Sequence, residues 1–135
     1  MVLYSHEIIG FINVFENTTG ASVKDCFVDE DVLVFVVMPG NMGRALGKGA
    51  SNIKKLGFMF KKRLRIIEFN DDPARFVSNL IYPVRAREIV LEDDSVVIRT
   101  DNARDKGHVF GRERSNLKKI QMIVSKYFPL VIKIE

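Results

Sequence analysis

The fold of this chain is organised around the stretch Leu46-Gly47-Lys48-Gly49-Ala50-Ser51-Asn52-Ile53-Lys54-Lys55-Leu56. The stretch indicates a sharp glycine turn that carries one lysine and is followed at once by a helix. Both glycines let the backbone approach a partner closely, because no side chain stands in the way. The first turn of a helix adds free N–H groups and the positive end of the helix dipole. The stretch therefore predicts a binding site for an anion, most commonly phosphate.

The same pattern recurs 64 residues later, as Phe110-Gly111-Arg112-Glu113-Arg114-Ser115-Asn116-Leu117-Lys118-Lys119-Ile120. A glycine, a Ser-Asn pair and a Lys-Lys pair fall at matching places. We therefore expect two repeated units, residues 1–70 and 71–135. Units of this size are marginally stable alone, and only Asn70-Asp71-Asp72 joins them. For these reasons we expect the two units to pack as one rigid body.

The hydropathy pattern of each unit predicts an α+β fold with the element order α-β-β-α-α-β. Six helices are expected. Three have both ends predicted, at about residues 4–17, 41–46 and 73–80, and the other three are expected to end at about residues 60, 110 and 126. Strands are expected at about residues 23–28, 32–38, 64–69, 84–91, 96–100 and 130–134. In the first helix, Ile8, Ile9, Ile12 and Phe15 are expected to face inward. Asp72 is expected to cap the helix that begins the second unit.

The charges of the chain are segregated, although the formal net charge is only +4. No acidic residue lies between Asp31 and Glu68, whereas eight basic residues do: Arg44, Lys48, Lys54, Lys55, Lys61, Lys62, Arg63 and Arg65. Such segregation is typical of nucleic-acid binders, which present one positive face. The alternative is a solvated helix face whose lysines serve solubility. We expect no aromatic side chain among these lysines in the right place for a base-stacking platform.

No motif indicates an enzyme, a cofactor or a metal site. Gly47-Lys48 fails the phosphate-loop pattern G-x-x-x-x-G-K-[ST] twice, because Met42 stands at its first glycine and Gly49 follows the lysine. Neither His6 nor His108 has a cysteine or a second histidine at metal-ligand spacing. We therefore expect a binding protein without catalytic activity, cofactor or metal.

The single cysteine and the absence of targeting segments favour a cytoplasmic protein. Cys26 has no partner for an intrachain disulfide, which fits a reducing compartment, and its apolar surroundings predict a buried, unreactive thiol. Polar residues from Ser5 to Glu7 interrupt the start of the chain, so we expect no signal peptide. No apolar run reaches the length of a transmembrane helix.

A helix-turn-helix whose turn is G-x-x-G resembles the KH domain. The matching residues are Leu46-Gly47-Lys48-Gly49-Ala50 and, more weakly, Phe110-Gly111-Arg112-Glu113-Arg114. The KH domain clamps about four nucleotides of single-stranded RNA across this loop. The helix and strand that precede the loop are similar to the type II, or prokaryotic, arrangement. The resemblance implies two tandem type II KH domains.

The chain as a whole resembles the archaeal NusA family. The likeness rests on Val14-Phe15-Glu16-Asn17-Thr18-Thr19-Gly20-Ala21, Lys24-Asp25-Cys26, Gly43-Arg44-Ala45-Leu46-Gly47-Lys48, Ser51-Asn52-Ile53-Lys54 and Glu68-Phe69-Asn70-Asp71-Asp72-Pro73. The family implies binding of single-stranded RNA, in particular nascent transcripts, in transcription termination and antitermination. Contact with RNA polymerase, a second possible partner, is left undecided by the resemblance, because short members of the family lack the amino-terminal polymerase-binding domain of bacterial NusA. The alternative function is a protein-interaction adaptor of the transcription machinery with little direct RNA binding.

The resemblance and the charge pattern predict these RNA-binding residues: Arg44, Gly47, Lys48, Gly49, Ala50, Lys54, Lys55, Gly111, Arg112, Arg114 and Lys118. Lys48 and the neighbouring backbone would hold phosphate. In the second loop Glu113 repels phosphate, while the arginines on either side of it form forked contacts with phosphate oxygens. The second loop is therefore either an RNA contact or a degenerate copy kept for packing. Met42, Leu46 and Ile53 are either the floor of a base-binding groove or core.

Overall fold

The computed structural model describes residues 5–135 as an α+β protein with two compact units, Met1–Phe69 and Asn70–Glu135. Each unit has the predicted element order, with one 3₁₀ turn between its second and third helices. The first unit contains α1 (Ser5–Thr19), β1 (Val23–Asp29), β2 (Val32–Val37), α2 (Met42–Leu46), the turn Lys48–Ala50, α3 (Ser51–Phe60) and β3 (Arg63–Glu68). The second contains α4 (Pro73–Ile81), β4 (Glu88–Glu92), β5 (Ser95–Arg99), α5 (Ala103–Phe110), the turn Arg112–Arg114, α6 (Ser115–Ser125) and β6 (Val131–Ile134).

Each unit folds its three strands into one sheet. In the first unit β2 is the central strand, antiparallel to β1 and parallel to β3, and Phe35 stands between Cys26 and Ile66. In the second unit β5 pairs with β4 and β6 in the same way. An antiparallel pair closes with a short turn, whereas a parallel pair requires a longer crossover. The glycine stretch lies on that crossover, between α2 and α3.

The strands of each antiparallel pair are joined by a two-residue acidic turn, Glu30-Asp31 in the first unit and Asp93-Asp94 in the second. The first residue of each turn is in the left-handed region, with φ of 55° at Glu30 and 52° at Asp93. Short polar side chains are common in such turns. These acidic residues therefore belong to two equivalent hairpins.

The core of the first unit holds both helices of the crossover on the sheet. Phe15 of α1 and Phe35 of β2 are fully buried, and their rings stack with centroids 4.2 Å apart. Ala45 of α2 and Leu56 of α3 are fully buried in the same cluster. Because one residue on each side of the glycine turn is anchored in this core, the ends of the turn are fixed in space.

The second unit is built in the same way. Its three helices contribute the buried side chains Phe76, Val77, Val109, Ile123 and Val124. The predicted cap of α4 is confirmed, because Asp72 Oδ1 accepts a hydrogen bond from the Ala74 N–H at 3.0 Å and Pro73 is the first helical residue. This cap satisfies an N–H group that the helix itself leaves unpaired.

One arginine ties together the strands of the second sheet. The Arg99 guanidinium on β5 donates to Glu92 at 2.7 Å, to Glu88 at 3.2 Å and to Glu135 at 3.4 Å. These hydrogen bonds, of which the one to Glu92 has the largest effect, raise the pKa of Arg99 above its ordinary value. Glu88 and Glu92 belong to β4, and Glu135 follows β6. The positive charge of Arg99 therefore stabilises the second sheet through these three carboxylates.

The expected start of β4 at residue 84 is wrong, since the strand begins at Glu88. The Val84 N–H donates to the Ile81 carbonyl at 2.9 Å, so the chain is still in the turn that ends α4. The first sheet-like bond of this segment runs from the Arg87 N–H to the Arg99 carbonyl at 2.8 Å. Hydropathy alone does not distinguish an apolar residue that follows a helix, such as Val84, from the start of a strand.

The expectation that Ile9 faces inward is also wrong, since its side chain is 57% exposed. Ile8, Ile12 and Phe15 follow the i, i+4, i+7 spacing and occupy the core-facing side of α1. Ile9 lies about 100° around the helix from Ile8 and leaves that side. The expected helix start at residue 4 lies outside the described residues.

The thiol of Cys26 is predicted to be unreactive in the folded protein. Burial, reinforced by the charge of Asp25, raises the pKa of this thiol to about 12 from 9.0. The thiolate is the reactive form, so we expect alkylation at pH 8 to be at least about a hundredfold slower in the folded than in the urea-unfolded protein. The same shift stabilises the fold below pH 9, and this contribution is lost as the pH rises from about 9 towards 12. Equal alkylation rates in the two states would contradict the burial of Cys26.

Candidate nucleic-acid interface

The first glycine loop, residues 47–50, is a compact reversal between α2 and α3. Gly47 has φ 73° and ψ 172°, and Gly49 and Ala50 follow in the left-handed region with φ of 61° and 59°. The Ala50 N–H donates to the Gly47 carbonyl at 3.1 Å and closes the loop. Lys48 is exposed at its tip. The loop thus presents one cation on a backbone that no large side chain covers.

Gly47 is required by its conformation and by its surroundings. Its φ and ψ fall in a region that only glycine occupies readily. A Cβ atom at this position would lie 2.8 Å from Asn52 Cγ and 2.9 Å from Ser51 Oγ, which is closer than such atoms approach. At Gly49 a Cβ atom would meet nothing within 4 Å. The two glycines therefore differ: Gly47 shapes the loop, while Gly49 keeps its outer surface free.

The repeated asparagine holds the loop in place, a role that the sequence analysis did not assign. Asn52 Nδ2 donates to the Arg44 carbonyl at 2.8 Å, from the start of α3 back to α2. In the second unit Asn116 Nδ2 donates to the His108 carbonyl at 3.0 Å. These bonds satisfy carbonyls near the end of a short helix. The only sign of this role in the sequence is the recurrence of Ser-Asn at the same spacing.

Each loop leads into a helix whose N-terminus lacks a side-chain cap. Ala50 and Arg114 occupy the cap positions of α3 and α6, both left-handed, and neither side chain accepts a hydrogen bond from the helix. Helices usually satisfy these N–H groups with a serine, threonine, aspartate or asparagine cap. The positive end of the α3 dipole therefore faces the loop without a protein side chain to neutralise it.

The cations predicted for the first site are brought together around this loop. Arg44 lies on α2, Lys48 at the loop tip, and Lys54 and Lys55 on α3, and all four are exposed. Within residues 5–135 none of the four forms an ion pair with a carboxylate. Their charges therefore act on solvent and on any bound anion.

Half-buried apolar side chains accompany the first loop. Met42, Leu46 and Ile53 are neither fully buried nor fully exposed, whereas their neighbours Ala45 and Leu56 are completely buried. Ile53 is therefore only partly in the core. All three leave apolar surface beside the glycine loop, as the floor of a base-binding groove would require.

The second loop, residues 111–114, repeats the backbone of the first with different chemistry. Gly111 has φ 71° and ψ 173°, close to the values of Gly47. Glu113 and Arg114 then occupy the left-handed region, with φ of 55° and 62°, although neither is glycine. The Arg114 guanidinium carbon lies 5.9 Å from the centre of the Phe110 ring. Glu113, Arg112 and Lys118 are exposed, so a carboxylate and several cations share this loop.

An aromatic side chain lies among the lysines of α3. Phe58 is 85% exposed. It follows Lys54 by four residues and Lys55 by three, which places all three side chains on neighbouring turns of one helix face. Leu56 and Phe60 of the same helix face the core instead.

Within residues 5–135 no group of three or more His, Cys, Asp or Glu side chains is arranged to hold a metal ion. None of the helices in this part of the chain combines the length and the apolar character needed to cross a membrane.

The fold and the loop agree with comparisons that define the class of protein. The family described as "KH domain" matches residues 11–84, which include the whole of the first loop and both helices beside it. The crystal structure of APE1850 is similar to this chain with a TM-score of 0.78 and 31% sequence identity, over 98% of this chain and 100% of that one. The class is therefore that of proteins with a KH domain.

Two of its relatives carry the name "Probable transcription termination protein NusA". The relative from Methanococcus vannielii is 32% identical over 109 residues, which are 78% of this chain but only 63% of that protein. The relative from Halobacterium salinarum is 30% identical over 128 residues, which are 93% of this chain and 92% of that protein. The chain belongs to the archaeal NusA family, as its motifs predicted.

The two glycines of the first loop are expected to respond differently to alanine. Gly47→Ala places a Cβ atom against Asn52 in a conformation that alanine avoids, so we expect the free energy of unfolding to fall by about 3 kcal/mol. Gly49→Ala adds a methyl group to open space and should cost only about 1 kcal/mol, for its left-handed conformation. Urea unfolding of both variants measures the difference. A larger loss in Gly49→Ala would refute the role assigned to Gly47.

Proposed function

We propose that this protein binds single-stranded RNA, in particular nascent transcripts, as a cytoplasmic NusA-like factor in transcription termination or antitermination. The observation that carries the proposal is the first loop. It combines a close-approach glycine backbone, one exposed lysine and a helix N-terminus without a side-chain cap. An RNA strand offers phosphate to all three features and bases to the apolar surface beside them.

The loop would hold phosphate through its backbone and Lys48. With no side chain at Gly49, where a Cβ atom would meet nothing within 4 Å, a phosphate group can approach the loop closely, and the α3 dipole favours its negative charge. Lys48 adds a point charge at the tip. Arg44, Lys54 and Lys55 would strengthen the field or contact adjacent phosphates. In the second loop Gly111, Arg112, Arg114 and Lys118 would act in the same way, against the repulsion of Glu113.

Bases would rest on the half-buried surface of Met42, Leu46 and Ile53. The face of an unstacked base can pack against apolar side chains. Single strands are recognised through such unstacked bases. Duplex RNA keeps its bases stacked and displays a regular backbone instead. The site therefore suits a single strand, and the KH mode predicts about four nucleotides across the loop.

The family relationship supports the biological setting. The relatives are named for transcription termination, and RNA polymerase is a second partner that this setting suggests. The type II order of elements and a rigid pairing of the two units belong to the same proposal, as do domain limits at 1–70 and 71–135. A protein-interaction adaptor with little RNA affinity is the competing function, and the next measurement separates the two.

Affinity for RNA is expected to depend on strand number and on salt. Single-stranded RNA should bind more tightly than a duplex of the same sequence, because the proposed groove needs exposed bases. Each phosphate contact releases counterions, so the logarithm of the binding constant should fall with the logarithm of salt concentration at a slope of roughly −0.7 per contact. Fluorescence anisotropy at several salt concentrations measures both. Equal affinity for duplex would contradict the preference for a single strand, and a flat salt dependence would contradict the phosphate contacts. Absence of measurable RNA binding would favour the adaptor.

The two loops are expected to contribute unequally. Lys48→Asp places a negative charge where phosphate must sit in the loop that has no acidic residue, so it should weaken RNA binding strongly. Arg112→Asp makes the matched change beside Glu113, in a loop that already repels phosphate. We expect the loss from Lys48→Asp to exceed that from Arg112→Asp by at least about tenfold, or 1.4 kcal/mol.

Both positions of this matched pair are exposed turns, so circular dichroism should show an unchanged fold. Titration of both variants against one RNA gives the comparison. Equal losses would make the second loop a full partner, and a larger loss from Arg112→Asp would reverse the order of the loops.

A further inference from the structure

The outer face of α3 carries an aromatic side chain that the fold does not use. Phe58 is 85% exposed, whereas Leu56 on the same helix is fully buried. At 3.6 residues per turn, Phe58 lies about 200° around the helix from Leu56, on the side opposite the core. Burial of a phenylalanine stabilises a protein, and an 85% exposed side chain contributes little of that stabilisation. Its exposed ring is therefore available to another molecule.

Three lysines lie close to this ring along the chain. Lys54 and Lys55 precede Phe58 by four and three residues, and Lys61 follows it by three at the end of the helix. All three lysines are exposed, and within residues 5–135 none forms an ion pair with a carboxylate. α3 itself contains no acidic residue. We call Phe58, Lys54, Lys55 and Lys61 the Phe58 face.

We propose that the Phe58 face is a second contact for the RNA strand, at which one base stacks on Phe58 while the lysines hold adjacent phosphates. Aromatic rings interleaved with cations are the usual platform for single-stranded nucleic acid. The positive surroundings suit a polyanion. This inference rests on the proposed function, because it extends the path of the strand bound at the first loop.

The position of the face makes this path continuous. α3 begins at Ser51, directly after the glycine loop. Phe58 lies seven residues further on, which is about 10 Å along the helix axis. A strand whose phosphate sits at the loop therefore reaches the face with the nucleotides that follow, without leaving the first unit.

The second unit provides an internal comparison. Met122 stands where the 64-residue repeat places the counterpart of Phe58, is 44% exposed and follows Lys118 and Lys119 by the same spacing. Methionine supplies apolar area but no ring on which a base could stack. The platform is thus a property of the first unit, the same unit whose loop has the more favourable charges.

The inference is tested with RNAs of two lengths. RNA of about four nucleotides fills only the loop, whereas RNA of about twelve nucleotides also extends beyond it. Loss of one stacked base costs about 1 kcal/mol or more, so Phe58→Ala should weaken binding of the longer RNA about fivefold or more and leave the shorter RNA unaffected. Met59→Ala, on the same helix and 49% exposed, is the matched control and should change neither affinity.

A fluorescence reporter gives independent evidence, because the chain contains no tryptophan. Phe58→Trp should bind the longer RNA and lose much of its fluorescence through stacking with a base, whereas Ile9→Trp, at a residue 57% exposed on α1, should not respond. If the wild-type protein binds RNA but Phe58→Ala has unchanged affinity, or loses affinity equally for both RNA lengths, the stacking platform is wrong while the proposed function stands. The Phe58 face would then be left to contact a protein. Absence of RNA binding by the wild-type protein would overturn the platform and the proposed function together.

Discussion

The candidate site depends on the close contact between Gly47 and Asn52. The asparagine side chain occupies the space that a Cβ atom at position 47 would need, and its amide reaches across to the Arg44 carbonyl at 2.8 Å. Gly47 and Asn52 are therefore interdependent. A larger residue at position 47 would displace the Asn52 side chain, and a residue without an amide at position 52 would leave the Arg44 carbonyl at the end of α2 without this hydrogen bond. Ala45 and Leu56, buried on either side, fix the two helices on the sheet. The loop between them has little freedom left.

The second loop shows that this pair, and not the full glycine pattern, sets the conformation. Gly111 and Asn116 repeat the contact, with a Cβ position 2.7 Å from Asn116 Cγ. Glu113 and Arg114 then accept left-handed backbone that costs each of them about 1 kcal/mol or more. The packing of the surrounding helices stabilises that conformation. The two loops thus share one backbone conformation but carry different charges. The side chains of such a loop can change without loss of its backbone conformation.

Sequence reasoning succeeded where one residue or a repeated pattern carries the information. The 64-residue repeat and the Asp72 cap follow directly from the residues, and the structure has the repeated elements in the expected order. It failed where the outcome depends on a neighbour. The hydrogen bond that the Asn52 side chain donates to the Arg44 carbonyl joins residues eight apart. It cannot be predicted without the geometry of the loop between them. The exposure of Phe58 likewise depends on its neighbours, because Leu56 and Phe60 occupy the side of α3 that faces the core.

The contrast between Arg99 and the lysines of the first unit explains why net charge is a poor guide to function here. Arg99 is hydrogen-bonded to three glutamates, so its charge is neutralised at short range and serves the sheet. Lys48, Lys54 and Lys55 have no such carboxylate partner in the described part of the chain. At physiological salt a charge acts over about 8 Å, so an approaching strand responds to the cations near the loop and not to the total of +4. Lys48 lies on the connection between α2 and α3, Lys54 and Lys55 lie in the first turns of α3, and a Cβ atom at Gly49 would meet nothing within 4 Å. Electrostatic attraction and close backbone approach therefore act at the same place.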